Sequence, residues 1–471
     1  MQPREGIQRM TRKQQLLKRH RRNKRTALMV GVLLLVVIGI LVAWWLPLLL
    51  AVLAWIAHEA WFADHLFYAP NEDYQYRFAA DAEVPGVRLE HGRLLLDQPV
   101  GADATRVLAI KIKSTWLGRF LDPSIELAGD RQTFERGVNG VRYLNLSGLA
   151  LNELPLRGRH CRVIGTPRLW AWTHPDYRTQ RVMVIAPHAD DAELAAFGLY
   201  SQAEKPWIVT LTAGEIEAEH YQQMGMDAVE AARIKGRLRA WDSIAVPLWA
   251  GVPQAHCVQL GYFCLQLQAM QAAPDLPFAS REAEMTDVRP FRQFNPFALP
   301  ADSDGLPTWN NLLADLRQVL LMARPEVIVL PHPVLDPHPD HLCAQHAVLE
   351  ALQGLEWQPT TVLGYANHLH DNDRWPMGDA GTGIALPPLF DATEELLPCS
   401  LPLTLTQQRD KAMALGMMHD LQPSPPFKRR VRRWLQRVLA GRAPSPYGEN
   451  EFFRKAVRRH ELFWRLGKDK S

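Results

Sequence analysis

The spacing of apolar positions changes character three times along the chain. From 26 to 57, thirty-two consecutive residues carry no formal charge, well beyond the roughly 20 that a helix needs to cross a bilayer. A cleavable signal has a shorter apolar core ended by a small-residue site, so the run is read as a retained anchor over 26–68. Two topologies fit it. One is a single span. The other is a hairpin turning at Trp44-Trp45-Leu46-Pro47, whose return arm carries Glu59 and Asp64, both costly in hydrocarbon. Between 70 and 175 short alternating runs take over. Val87–Glu90 and Arg93–Leu96 flank His91-Gly92, 107–113 alternates, and Gly137, Gly140 and Gly148 punctuate. That pattern predicts a small β-sandwich-like domain. From 178 to 422 apolar strands alternate with helices. Val182–Ala186, Trp207–Thr212 and 327–330 read as buried strands, and 227–244 has helical spacing. Thr308 caps a helix over 309–323 that Arg324-Pro325 stops. The expected fold is α/β, a Rossmann-like, mostly parallel sheet. Residues 271–308, rich in Pro, Phe and Asp, read as a lid or a disordered loop. After a linker at 423–426, a basic helix over 428–439 opens a C-terminal tail that runs to 471.

Charge changes the picture at both ends. Residues 1–25 hold ten Lys/Arg against one acid, and 428–471 hold fourteen against four; with a net charge of +3, the middle is left at −16. The first stretch reads as a basic disordered arm. Basic ends suit nucleic acid or an anionic membrane surface, and the anchor decides for membrane and against nucleic acid. The helix 428–439 places Val431, Trp434, Leu435, Val438 and Leu439 on one face, which suits either a bilayer surface or the flank of the 178–422 domain. Cys161, Cys257, Cys264, Cys343 and Cys399 form no Cys-x-x-Cys pair. An odd, scattered set points to a reducing compartment. With the basic tail it favours the cytoplasmic face of a bacterial inner membrane, against the simple charge count around the anchor.

Two clusters carry the chemistry. Val182–Ala186 runs into Pro187-His188-Ala189-Asp190-Asp191-Ala192-Glu193, and 327–330 leads into Asp336-Pro337-His338-Pro339-Asp340-His341. Each is a strand, a sharp loop, then imidazoles and carboxylates. Two such clusters meet at the carboxyl edge of one parallel sheet, where open α/β folds bind their ligands. Alone, a histidine at a strand end is more often structural, and an Asp pair more often caps a helix. Together the groups form a divalent-metal set, with zinc the default for His/His/Asp. On the first loop the two aspartates point different ways, so one can bind a metal and the other can address its water. His338 and His341 are one helical turn apart, with Pro339 suited to the first turn.

These clusters resemble the two signatures of the PIG-L/LmbE-like de-N-acetylases. His188-Ala189-Asp190-Asp191 follows the family's His-Pro-Asp-Asp with alanine for proline, and 336–341 matches its Asp-x-His-Pro-Asp-His throughout. Weaker likenesses lie in Thr212-Ala213-Gly214-Glu215, in Arg233 with Gly236 where the family has glutamate, and in Lys411, Leu415, His419 and Gln422. The resemblance covers roughly 180–422. It implies a zinc-dependent hydrolase, or one using another divalent ion, that removes acetyl groups from amino sugars and related amides. By it His188, Asp191 and His341 bind the metal, Asp190 is the general base, and His338 stabilises the oxyanion or protonates the leaving amine. Asp340 then orients a histidine and Arg233 holds a substrate anion or hydroxyl. His332, His368 and His370 lie near strand ends, within reach of such a site. Anchor, basic surfaces and chemistry together point to an N-acetylated envelope glycolipid or lipopolysaccharide. A small soluble conjugate, or a non-catalytic membrane-bound scaffold, are the rival readings.

Overall fold

The structure, a computed structural model, describes residues 12–63, 70–101, 103–151, 153–369, 374–392, 394–423 and 425–467. Residues 1–11 of the basic arm, the end of the anchor (Asp64 included) and His370 fall outside them.

Residues 12–25, expected as a disordered arm, are instead helical and continuous with the apolar run in α1 (Arg12–Leu41). Within it Leu17–Leu41 is, among the described residues, the one helix long and apolar enough to cross a membrane. After a turn at 42–45 the chain enters α2 (Leu46–Ala57) and a wider π-type turn, His58–Phe62. The second helix doubles back, which makes His58 an electrostatic neighbour of His20.

Nine strands follow: β1 (Glu83–Val84), β2 (Val87–Glu90), β3 (Arg93–Leu96), β4 (Thr105–Ser114), β5 (Ser124–Leu127), β6 (Asp130–Thr133), β7 (Asn139–Asn145), β8 (Leu154–Arg159) and β9 (Cys161–Trp172). They form a four-stranded sheet, β1-β9-β4-β7, and a five-stranded one, β2-β3-β8-β5-β6. Leu108, Ile110 and Leu144 of the first sheet and Leu94, Ile125 and Leu156 of the second share one buried apolar cluster.

The third unit is built on β10 (Val182–Ala186), α3 (Asp191–Tyr200), β11 (Trp207–Thr212), α4 (Glu219–Gln222), α5 (Ala228–Trp249), β12 (Cys257–Tyr262), α6 (Leu267–Ala272), α7 (Trp309–Ala323), β13 (Val327–Pro331), α8 (Pro339–Leu352), β14 (Thr361–Tyr365), β15 (Leu397–Pro402), α9 (Leu405–Met417), α10 (Phe427–Ala440), α11 (Glu451–Ala456) and β16 (His460–Leu466). Thr308 caps α7 through the Asn311 amide, and Arg324, left-handed, ends it. The sheet runs β12-β11-β10-β13-β14-β16-β15; the first five strands are parallel, and β16 runs antiparallel between β14 and β15. Strand periodicity of two decides which side covers which residue. Met183 and Ile185 pack with Leu316 and Ala344 of α7 and α8, while Val182 and Val184 pack with Phe197 and Leu415 of α3 and α9. Both faces are therefore covered, as a parallel sheet requires. From β10 the chain moves to β11 on one side and returns through β13 on the other. The loops leaving β10 and β13 thus open at one point of the edge.

Two boundaries read from the sequence are corrected. The irregular stretch 271–308 is neither a loose lid nor disordered. Phe291 and Leu299 lie in the core, and Arg292 is buried on the Leu260 carbonyl and Asp315. The segment 423–471 is no separate tail, since β16 lies between β14 and β15. Glu461 of that strand accepts the amides of Gly198 and Leu199 and pairs with buried Lys411. A linker of prolines disguised the return, and seven residues are too short a strand to stand out beside fourteen basic ones.

The C-terminal segment also clamps the β-rich unit. Asp122 accepts Arg136 Nε at 2.7 Å and Arg442 Nε at 3.1 Å. Burial alone would raise this carboxyl, but Arg442 and Arg136 hold it far below the carboxylate range. A depressed folded pKa gives stability that is full above the unfolded value near pH ~4 and lost as pH falls below it. Asp122→Asn should therefore cost about 3–5 kcal/mol at neutral pH and flatten the acid limb of stability, read by urea titration across pH. A fragment ending at residue 422 lacks β16. Fragment 178–422 should show no cooperative unfolding transition by circular dichroism, whereas 70–467 should keep one.

Candidate active site

The loop after β10 is strained where its chemistry lies. Asp190 has φ 146° and ψ −24°, outside the regions that a side chain normally allows. Asp191 then starts α3, and its Oδ2 accepts the His188 amide at 3.0 Å, so the short loop closes on itself. The loop after β13 ends at His338, with Pro339 opening α8. That turn sets His341 on the inner face of the helix.

The two loops meet. Asp191 Oδ2 lies 3.2 Å from His188 Nδ1 and 3.2 Å from His341 Nε2. The other nitrogen of each ring faces a carboxylate: His188 Nε2 is 3.2 Å from Asp340 Oδ2, and His341 Nδ1 is 2.9 Å from Asp336 Oδ2. Asp191, Asp336, Asp340 and His341 are all buried. Ring nitrogens of His188, His338 and His341 lie within 4.8 Å of one another, as do donor atoms of Asp191, His341 and His368, and of His188, Cys264 and Asp340. His338 stands over His188 and stacks on His368 at 5.1 Å between ring centroids.

Electrostatics follow from so many acids in so little water. Burial would raise Asp191, but His341 and His188 hold it well below the carboxylate range. Burial would lower His341, yet Asp191 and Asp336 lift it to about 9. His338 is pushed the other way, to about 4, by burial and by the neighbouring imidazoles of His188, His341 and His368. Asp190 rises to about 6 through burial, against the pull of Arg239.

The donor set fits a divalent cation. One Asp191 oxygen lies 3.2 Å from a nitrogen of each of His188 and His341, both rings are held from behind by an acid, and His341 Nε2 is buried with no hydrogen-bond partner. Asp340 stands behind His188. The structure adds Asp336 behind His341, and it adds Asn367, whose side chain donates to Asp191 Oδ1 at 2.7 Å and whose amide donates to Asp336 Oδ2 at 2.9 Å. Asn367 follows β14, the next strand of the sheet, and its position at a strand end was the available signal.

Arg233 is not brought to the site. It is exposed, and its Nε donates to the Ala283 carbonyl. The arginine that α5 sends inward is Arg239, two turns later. It donates to the Ala189 carbonyl at 2.9 Å and to Asp190 Oδ1 at 3.2 Å, and it pairs with Asp420. Lys235 Nζ holds the other Asp420 oxygen at 3.0 Å. Gly214 makes room for this: its φ is +63°, and a Cβ there would stand 2.5 Å from Arg239 Nε. At Gly236 a Cβ would be 2.6 Å from the Phe291 ring. Glu193 bonds Tyr200 inside α3, and His332 accepts the Val334 amide under Trp464, so neither joins the cluster. Lys411 is spent on Glu461 and His419 on Asp242. Arg239→Met would strip Asp190 of the guanidinium that bonds it. It should cost about 3–5 kcal/mol of stability, read by chemical denaturation, with Lys235 keeping Asp420 paired.

Residues 183–352 match the family model described as PIG-L: GlcNAc-PI de-N-acetylase. Among solved structures, a 4-carboxy-2-hydroxymuconate hydratase from Pseudomonas putida aligns at 14% identity over 62% of this chain and 98% of its own, with a TM-score of 0.33. A triple mutant of a deacetylase from the teicoplanin biosynthetic pathway aligns at 14% over 62% and 100%, with a TM-score of 0.32. A conserved protein of Thermus thermophilus aligns at 15% over 62% and 99%, at 0.30. No curated protein matches the chain in sequence. The loops after β10 and β13 both lie inside the matched span, and residues 183–352 of this chain form a PIG-L family domain.

Proposed function

We propose that this chain is a metal-dependent hydrolase that removes the N-acetyl group from an amino sugar carried by a membrane-associated envelope glycolipid or lipopolysaccharide. One observation carries the chemistry: Asp191 Oδ2 sits 3.2 Å from a nitrogen of each of His188 and His341. We take those three as the ligands and zinc as the ion. When bound, such an ion polarises an amide carbonyl and makes water more acidic.

The chain's own groups do the rest. His188 and His341 are fixed by Asp340 and Asp336, so both rings turn their other nitrogens toward Asp191, where a cation would be held. Asp190 is the base. Burial lifts its proton affinity, while Arg239 fixes the carboxylate and keeps it from turning away. It takes one proton from the attacking water as the new C–O bond forms at the acetyl carbon, and returns it to nitrogen as the C–N bond breaks. Acetate and a free amine leave. His338, on the open side of the cluster, donates to the developing oxyanion or to the departing amine. We read the sheet as Rossmann-like and 70–175 as a sandwich-type accessory domain. We place the α1–α2 hairpin in an inner membrane with the catalytic domain on its cytoplasmic face.

Asp190→Asn removes a proton acceptor without removing a ligand. Acetate release from N-acetylated glycans should fall about 10²–10⁴-fold with metal content unchanged. His338→Ala should retain metal and lose about 10²–10³-fold. Near-normal turnover in either variant removes that residue from the mechanism.

A further inference from the structure

A second cavity lies away from the catalytic cluster, between α10 and the segment that precedes β16. Its volume is about 330 Å³. Arg430, Arg433 and Arg437 of α10 line one side, and Arg374, Arg442 and Arg454 reach it from the other. The acids on its wall are Glu449 and Glu451. Arg454 already holds Glu451 at 2.8 Å, and Arg442 is tied to Asp122. Arg454 and Arg442 are thus engaged by Glu451 and Asp122, while Arg430, Arg433 and Arg437 of α10 face the remaining acid, Glu449. Arg433 donates to the backbone carbonyl of Glu449, which offers no charge in return. A concave surface with this surplus selects an anion, and the planar forks of arginine suit phosphate oxygens.

Position says where that anion comes from. α10 is fastened to the end of the apolar hairpin. Arg432 Nε reaches Glu59 Oε2 at 2.5 Å, and Gln436 Nε2 donates to the Glu59 carbonyl at 3.3 Å. Leu435 and Ala440 are buried on the packed side. Yet Phe427, Trp434 and Val438 are 74%, 61% and 60% exposed, a stripe at helical spacing beside the arginine row. Both sequence readings of this helix thus apply to different faces: one packs on the protein, and one is left open next to the anchor. A basic row bordering an exposed apolar row is the arrangement of a helix lying at a bilayer surface.

We propose that this cavity binds the phosphate of an anionic lipid headgroup, with the acyl chains leaving over Phe427, Trp434 and Val438. The inference rests on reading Leu17–Leu41 as an anchor and not on the hydrolase reading. Bound lipid would fix the tilt of the catalytic domain over the membrane.

Native mass spectrometry of the full chain, released from dodecyl maltoside micelles doped with dioleoyl phosphatidic acid, counts bound lipids. One phosphatidic acid should bind saturably, and phosphatidylcholine should not compete. Arg430→Gln with Arg437→Gln should weaken binding about 30-fold, while Lys428→Gln with Arg429→Gln, outside the cavity, should change it less than about threefold. Acetate release from a soluble N-acetylated amide should be the same in both variants, which separates this claim from the catalytic one. In the unaltered chain, phosphatidic acid should protect Arg430 and Arg437 from phenylglyoxal, a reading that needs no variant. Equal loss in both double variants, or no protection, overturns the cavity. Inorganic phosphate binding as tightly as the lipid overturns the lipid source.

Discussion

Asp191 is a carboxylate in a place where water does not reach, 3.2 Å from nitrogens on two histidines. An ionised acid is tolerated there only with compensating positive charge and hydrogen bonds. The rest of the edge is built to supply them. Asn367 holds one oxygen, the His188 amide and two rings hold the other, and Asp336 and Asp340 support the rings from behind. Asp190, Asp191, Asp336 and Asp340, brought together from two loops, set a local deficit of positive charge that two imidazoles and Arg239 only partly fill. That deficit suits a bound cation, and the strained Asp190 and the left-handed Gly214 line the same edge.

The sheet makes this burial possible. β10 and β13 are adjacent and parallel, so the loops that leave them open side by side. Neither cluster closes the site alone: His188 and Asp191 come from one loop, His341, Asp336 and Asp340 from the other, and Asn367 from the strand beyond. The C-terminal return through β16 then locks β14 and β15 together and ties this sheet to the β-rich unit, where His460 Nε2 of β16 lies 3.0 Å from the Ser147 carbonyl. On the other side Arg432 and Glu59 join the same C-terminal segment to the apolar hairpin. The segment beyond 423 therefore connects three parts of the molecule to one another.

Much of this was legible in the amino-acid sequence because local rules and tertiary demands agree there. Val182–Ala186 and Trp207–Thr212 are strands with the bounds their apolar runs suggest, and Thr308 caps α7 as its side chain allows. The paired His/Asp clusters were visible because metal-type residues at fixed spacing are rare in loops. Arg239 was missed because α5 carries arginines at 233, 237 and 239, and only the turn of the helix against Gly214 chooses among them. Asn367 and Asp420 were missed because each acts through a partner far along the chain. β16 was hidden for the opposite reason: its residues are ordinary, and only the gap between β14 and β15 makes them a strand.

The central claim is that the meeting of the two loops is a metal centre. The direct test is metal analysis and metal-edge X-ray absorption on the purified full chain, alongside Asp191→Ala and His341→Ala. The account predicts about one zinc or other divalent ion per chain, with nitrogen and oxygen ligands at about 2.0–2.2 Å, and its loss in both variants. A chain that takes up no ion in excess zinc, or whose ion persists unchanged without Asp191 and His341, would contradict it.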